Sequence, residues 1–458
     1  MFQELREKGI FEQARSYGSE YLDHVLERHV YPTEEALGNL RHFDHDLPAG
    51  TGNASEVLRF LQEHGSPATV TNDGGRYFGF VTGGSVPIGL AAKILGTYWD
   101  QNSVLHVLSP VCSKLESVVE RWLRDLFHLP ESTVAGFVSG TSASNFCALA
   151  AARFRVLKNA GWDVNERGLF GAPKVRVVLG KGAHSTVIKA LGLLGFGRES
   201  FEWVEVDDQA RMIPEKVPVL DASSILILQA GNVNSGSFDP FAEICTKAKA
   251  AGAWVHIDGA FGLWAAASPE LSHLTKGIER GDSWAVDGHK TLNTPYDNGI
   301  VLCRDREALA SALHMTGSYI VVSDTQRDGM FYTPEMSRRG RVIELWATLN
   351  YLGKEGVDQL VTGLHRRAVQ FSEELRNIEG FHVLNDVVFN QVLVRCDSDD
   401  LTQRTLERIQ QLRECWVGGS SWHGRKVIRI SVCSWATTQA DITRSVRSFR
   451  QALEEVQR

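Results

Sequence analysis

The sequence predicts an α/β protein: a largely parallel sheet covered by helices, with an N-terminal helical arm and a smaller C-terminal α+β unit. Three observations carry that expectation. Strand-like and helix-like runs alternate from about residue 75 to 315, the pattern of parallel strands joined by crossover helices. Asp258 and Lys290 each follow a short apolar strand-like run, which suits a sheet whose ligands sit off the carboxyl ends of its strands. At 458 residues the chain also exceeds one simple core, so two or three structural units are expected.

Residues 2–29 place Phe2, Leu5, Ile10, Phe11, Tyr17, Tyr21, Leu22, Val25 and Leu26 at mostly helical spacing. This is an amphipathic arm that must bury one face, on its own body or on a partner subunit. A turn-rich stretch at 46–53 and a short helix to about His64 complete a first unit, residues 1–70. The large unit, 71–335, carries helix-like 111–126, a small-residue loop, helix-like 142–158, strand-like 174–179 and 224–229, helix-like 241–251, and strand-like 254–257, 284–286 and 299–303. The last unit, 336–458, opens with a long helical pattern through Leu345, Leu349 and Leu352. Strand-like 387–394 and 426–432 and a final helix from about Asp441 follow.

Bulk properties exclude several classes. A net charge of -7 speaks against a nucleic-acid partner, which needs a basic surface. Seven scattered cysteines without a CxxC pair fit reduced thiols in a cytoplasmic protein rather than a disulfide framework. No stretch has the length of unbroken apolar residues that a membrane span or secretory signal requires. His42 and His45 are close in sequence, but no metal-ligand spacing such as HExxH is present. Gly195 and Gly197 lack the rest of a dinucleotide fingerprint.

Chemistry concentrates in three places. Lys290, in Asp287-Gly288-His289-Lys290-Thr291, lies just beyond apolar Trp284-Ala285-Val286; a sheltered lysine loses its proton more readily and forms imines with aldehydes. Ordinary strand-end lysines are common, so the other two places matter. Ser139-Gly140-Thr141-Ser142-Ala143-Ser144-Asn145 is a small-residue loop opening a helix, whose free N–H groups and dipole suit a phosphate. A plain helix cap competes with that reading, and so does a serine-hydrolase elbow at Ser142, weakened because Ser144 stands where GxSxG needs glycine. Asp258, ending Trp254-Val255-His256-Ile257-Asp258, is either a turn-capping acid or the partner of a pyridine nitrogen. Acid, phosphate-sized loop and sheltered lysine together suit pyridoxal 5′-phosphate. His184 would stack on a flat cofactor or be structural, and His289 is ambiguous in the same way. Arg429 either clamps a substrate carboxylate or pairs with a structural acid between domains.

The blocks Arg76-Tyr77-Phe78-Gly79, Leu108-Ser109-Pro110, Leu115-Glu116, 136–153, Ala183-His184-Ser185, Ser237-Phe238-Asp239, His256-Ile257-Asp258-Gly259-Ala260, Gly288-His289-Lys290 and Arg429-Ile430-Ser431 occur in that order. In order and spacing the chain resembles the group II pyridoxal-phosphate-dependent amino acid decarboxylases, fold type I relatives within the aspartate aminotransferase superfamily. The resemblance implies an L-amino acid decarboxylase working as a homodimer, with active sites at the subunit interface and a small-molecule amino acid substrate. It makes Lys290 the cofactor-bearing lysine, Asp258 the partner of the ring nitrogen and His184 the stacking imidazole. Thr141 and Ser142 become phosphate contacts, with His289 near the phosphate, and Ala260 packs on the ring face opposite His184. Asn234 stands where relatives contact the cofactor's ring oxygen, and Tyr77 and Phe78 lie near the substrate. The region 324–338 corresponds to a mobile loop bearing a tyrosine proton donor, for which Tyr332 is the nearest candidate. Relatives lacking that tyrosine make aldehydes with oxygen, so an aldehyde synthase, or an aminotransferase on the same cofactor, is the alternative outcome.

Overall fold

The computed structural model describes residues 1–314, 321–323 and 325–458; Asp324, the first residue of the expected loop region, lies outside them. Seven strands form the large sheet: β1 (Val134–Val138), β2 (Arg176–Gly180), β3 (Phe201–Val204), β4 (Ser224–Gln229), β5 (Trp254–Asp258), β6 (Ser283–Asp287) and β7 (Gly299–Cys303). Their spatial order is β1-β7-β6-β5-β4-β2-β3. Only β7 runs against its neighbours, β1 and β6; the other pairings are parallel. β4, β5 and β6 read SILILQ, WVHID and SWAVD with nearly every residue buried, the composition of strands covered on both faces. Asp258 and Asp287 are the last residues of β5 and β6. The loops carrying Gly140 and His184 leave β1 and β2 at the same edge.

The small unit is an antiparallel sheet, order β10-β11-β9-β8, of β8 (His382–Val383), β9 (Gln391–Arg395), β10 (Gly418–Trp422) and β11 (Arg425–Ser431). Helices Asp399–Leu412 and Gln439–Gln457 pack on it. The expected strand 387–394 is cut short because residues 385–390 turn and Asn390 spends its amide on the Val432 carbonyl. The long helix spans Val342–Arg376 and breaks at Gly353, whose φ of 59° is a conformation glycine adopts at low steric cost.

Residues 76–78, expected in the large unit, are stitched to the small one. The Phe78 N–H donates to the Trp416 carbonyl (2.8 Å), and Ser431 N–H donates to the Phe78 carbonyl (2.9 Å). Buried Arg76 donates to the carbonyls of Leu26, Arg28 and Glu414, joining arm, crossover segment and small unit at one side chain. This is the physical content of the Arg76-Tyr77-Phe78-Gly79 block.

The segment after residue 324 is anchored rather than free. Arg338 Nη2 meets Glu116 Oε1 at 2.7 Å and Arg327 Nε meets Glu116 Oε2 at 3.0 Å, all three side chains buried. Arg327 Nη1 also pairs with Glu120 at 2.6 Å. Leaving either guanidinium without its acid in such a setting costs about 3–5 kcal/mol, so the Leu115-Glu116 block holds this segment onto β1 through the helix Pro110–Leu126.

Candidate active site

Residues from several stretches of chain meet at the carboxyl edge of the large sheet. The first is the opening of the helix Thr141–Asn159. Gly140 precedes it with fully extended backbone, and no side chain caps the helix, so its first N–H groups remain available. A Cβ on Gly299 would lie 2.3 Å from the Gly140 Cα, so only glycine lets β7 approach this closely. A Cβ on Gly140 would in turn stand 3.3 Å from His289 Cε1 and 3.6 Å from Asp287 Oδ1, crowding the cradle. Thr141 is buried and its Oγ1 has no hydrogen-bond partner. Uncapped N–H groups, a glycine floor and an orphaned hydroxyl fit a phosphate.

Asp258, His184 and Lys290 surround the space beside this cradle. Asp258 is buried at the end of β5, and its Oδ1 accepts from the Ala260 N–H at 3.3 Å. Burial pushes its carboxyl above the ordinary range, with His184 and Lys290 pulling it back. His184 caps the helix Ser185–Leu193. Its Nδ1 accepts from the Thr186 N–H (3.3 Å) and lies 2.7 Å from the Thr186 hydroxyl, which leaves the hydrogen on Nε2. Burial pushes this imidazole below its ordinary pKa, with Asp258 opposing. Lys290 Nζ lies 3.0 Å from Asp287 Oδ2. His289 Nδ1 accepts from the Asn298 N–H at 2.9 Å, so its Nε2 carries the hydrogen; burial lowers its pKa too. The ring of Tyr296 lies over His289 at 4.3 Å.

The outer residues divide. Arg429 is largely enclosed, yet its guanidinium's only hydrogen bond among the described residues goes from Nη1 to the Val233 carbonyl (3.2 Å), and its Nε has no partner. Burial lowers its pKa, with Tyr77 opposing. Tyr77 stacks on Trp416 (5.3 Å, 11°), and its phenol is pushed up to about 12, first by burial and then by Tyr296 and Tyr31. Asn234 Oδ1 is taken by the Ser420 hydroxyl (2.8 Å). Phe78 does not reach this space. Consecutive residues of extended chain face opposite sides, and Phe78 is fully buried against Phe371 in the core of the small unit. Tyr332 is also placed elsewhere: it is 4% exposed in the core beside β1, with the Arg327 guanidinium 4.3 Å over its ring. Ser142 is exposed and hydrogen-bonds to no histidine among the described residues, so the nucleophile–base pair of a serine hydrolase is not formed.

Sequence reasoning passed over three contributors. Asp287 lay inside the quoted run but received no role. Asn293, at φ 58°, accepts from the Gly84 and Trp435 N–H groups (both 2.9 Å) and donates to the carbonyls of Lys290, Thr291 and Cys433. It binds the lysine loop to the crossover segment and the small unit; an asparagine two residues before Pro295 is the turn signal that marks it. His256 is fully buried and held neutral, at about 3, by burial. It bridges Asn145 Oδ1 and Ser283 Oγ, both 2.9 Å, and so braces the helix Thr141–Asn159 on β5 and β6.

Comparison with known proteins identifies the family. The pyridoxal-dependent decarboxylase conserved domain matches residues 39–396. The chain is similar to an aromatic-L-amino-acid decarboxylase of Bacillus atrophaeus, at 24% identity over 99% of this chain and 96% of that protein. It is similar to the cysteine sulfinic acid decarboxylase of Mus musculus, at 27% identity over 80% of each. The fold matches the crystal structure of Oryza sativa TDC with PLP and tryptamine, with a TM-score of 0.89 and 20% identity over 99% of this chain and 98% of that one. With a family match over residues 39–396, most of its length, the chain belongs to the pyridoxal-dependent decarboxylase family and is a carboxy-lyase that uses pyridoxal phosphate.

Proposed function

We propose that this enzyme removes the α-carboxylate of an L-amino acid as carbon dioxide and returns the amine, with each of the site residues in the role that follows. The observation that carries this is the convergence of Asp258, His184, Lys290 and the uncapped helix Thr141–Asn159 at one sheet edge. Pyridoxal phosphate, when bound, supplies an electron-accepting ring for the charge left at the α-carbon as the carboxylate departs. Thr141, Ser142 and the first N–H groups of their helix hold the phosphate, with the His289 Nε2–H beside them. Lys290 supplies the amine that bonds the cofactor's aldehyde carbon and gives way to the substrate amine. Asp258 holds a proton at the ring nitrogen, a task suited to a carboxyl whose affinity for protons burial has raised. His184 would offer a flat neutral imidazole, and Ala260 a small methyl, to the faces of the bound ring.

On the substrate side, Arg429 offers a guanidinium that pairs with no acid among the described residues to a carboxylate. Tyr77 keeps its proton through the physiological range and donates next to it. Asn234, its oxygen already engaged by Ser420, turns its amide nitrogen to the cofactor's ring oxygen. Incubating the protein and pyridoxal phosphate with single L-amino acids, while analysing headspace gas and organic product by mass spectrometry, tests this reading. One amino acid yields carbon dioxide and the matching amine in equal amounts. Carbon dioxide with an aldehyde would replace amine formation by the oxygen-dependent outcome, and a keto acid without carbon dioxide would replace decarboxylation by transamination.

The active form is a homodimer. The arm helices Phe2–Glu7 and Gly9–His24 bury no residue on their own body and leave Phe2, Leu5 and Leu22 exposed. The helix Pro87–Trp99 exposes Ile94, Leu95, Tyr98 and Trp99, and Phe11 of the arm touches Tyr98. Apolar surface on this scale supports an interface with a second copy. Sedimentation gives a two-chain particle; a monomer with full turnover would contradict this. Cytoplasmic residence is supported by seven cysteines that are all buried and free.

A further inference from the structure

Among the described residues Asp287 is the one acidic side chain that touches the Lys290 nitrogen, and no role above uses it. It ends β6 with its side chain 2% exposed. The surrounding frame fixes it firmly: its N–H donates to the Ala260 carbonyl at 2.9 Å, and its own carbonyl accepts from the Trp264 indole at 2.9 Å. Oδ2 lies 3.0 Å from Lys290 Nζ and 3.6 Å from His289 Nε2. Oδ1 is buried and has no hydrogen-bond partner. A buried carboxylate oxygen left bare is costly unless something uses it.

We propose that Asp287 is the proton acceptor that converts the Lys290 ammonium into the amine, and the donor that restores it when the lysine is released. The inference rests on the reading that Lys290 carries the cofactor. An ammonium has no lone pair, so Nζ must lose a proton before it attacks an aldehyde carbon. That proton passes from Nζ to Oδ2 across the 3.0 Å contact. The Nζ lone pair then forms the C–N bond, and water leaves as the C=N bond closes. In the reverse direction the substrate amine displaces Nζ, which departs as a neutral amine and takes back the proton from the carboxyl. Nothing is oxidised or reduced, and the proton count balances over the cycle.

The other ionisable groups facing Asp287 do not take its place. His289 presents Nε2–H, a donor, toward Oδ2, because Nδ1 is occupied by the Asn298 N–H. Asp258 and His184, across the site, interact with Asp287 through charge alone, as does Tyr296. Among the described residues Lys290 is therefore the only group that both contacts Asp287 closely and must exchange a proton.

The test is the rate at which cofactor-free protein develops the visible absorption of the lysine–cofactor bond on mixing with pyridoxal 5′-phosphate, measured against pH. For the parent protein the rate varies weakly between pH 6 and 8, as the acceptor is local. For Asp287→Asn it falls on the order of 10²-fold at neutral pH and rises about tenfold per pH unit, following the free amine fraction. Asp287→Glu restores the shallow profile. An Asp287→Asn protein with an unchanged rate, or with a lower rate but the parent's shallow slope, overturns the proposal, since a merely structural role moves the rate without the slope. If Asp287→Asn does not fold, the parent decides alone: a tenfold rise per pH unit overturns the proposal. Failure of the parent to form any visible band would instead refute the Lys290 reading.

Discussion

Lys290→Ala abolishes the visible absorption of the cofactor-loaded protein and lowers decarboxylation by roughly 10⁴-fold or more. The loss is confined to the amine that bonds the cofactor's aldehyde carbon. The loop itself is held by Asn293, which ties Gly84, Cys433 and Trp435 around the Lys290 carbonyl. That scaffold is made by backbone groups and by Asn293, so it survives the substitution. The protein is therefore expected to fold, to retain pyridoxal phosphate through the Thr141 cradle, and to show the spectrum of the free aldehyde. Added ethylamine, a small amine of the lysine's chemistry, restores part of the visible band. A variant with the parent's spectrum would contradict the assignment outright.

Asp258→Asn has the next largest effect, lowering turnover by on the order of 10²- to 10³-fold, the range seen when a charge-stabilising group is removed. The carboxyl sits at the end of β5, fully enclosed, and burial raises its proton affinity while His184 and Lys290 lower it. An amide keeps the shape and the acceptor for the Ala260 N–H but cannot hold a proton at a ring nitrogen. The measurement is steady-state kinetics beside cofactor affinity. The account expects kcat to fall far more than cofactor binding weakens. Turnover within a few-fold of the parent would contradict the proton-holding role and leave Asp258 as a turn cap.

Much of the large unit was legible in the sequence, and the reason is burial. β4, β5 and β6 are apolar runs because helices cover both faces, and their last residues mark the site edge. The polar residues that close those runs, Asp258 and the Asp287-Gly288-His289-Lys290 stretch, were conspicuous for the same reason. Less legible were elements whose composition is ordinary. β1 reads VAGFV, where Gly136 permits the Tyr332 carbonyl to pack against the strand, and β10 reads GGSSW at a sheet edge. Local periodicity has little to hold in either.

The site residues divide along a similar line. Candidates adjacent in sequence to a strand end could be named from the sequence; residues brought alongside them by long-range packing could not. The family resemblance implied a place near the substrate for Phe78 together with Tyr77, whereas the alternation of extended chain sends Phe78 into the other core. Tyr332 was the nearest tyrosine along the chain, but the Glu116–Arg327–Arg338 ion network fixes its segment against β1. The Asn145–His256–Ser283 bridge spans more than a hundred residues and leaves no local trace. Asp287 was hidden differently: it stood in plain view, and only the 3.0 Å contact to Lys290 and the bare Oδ1 give it a task.

The most direct test of the central claim is to treat the pyridoxal-phosphate-loaded protein with borohydride, digest it and map the reduced adduct by mass spectrometry. The account predicts one phosphopyridoxyl group, on the peptide that contains Lys290. An adduct on a different lysine, or none at all on a protein that still releases carbon dioxide from an amino acid, would contradict it.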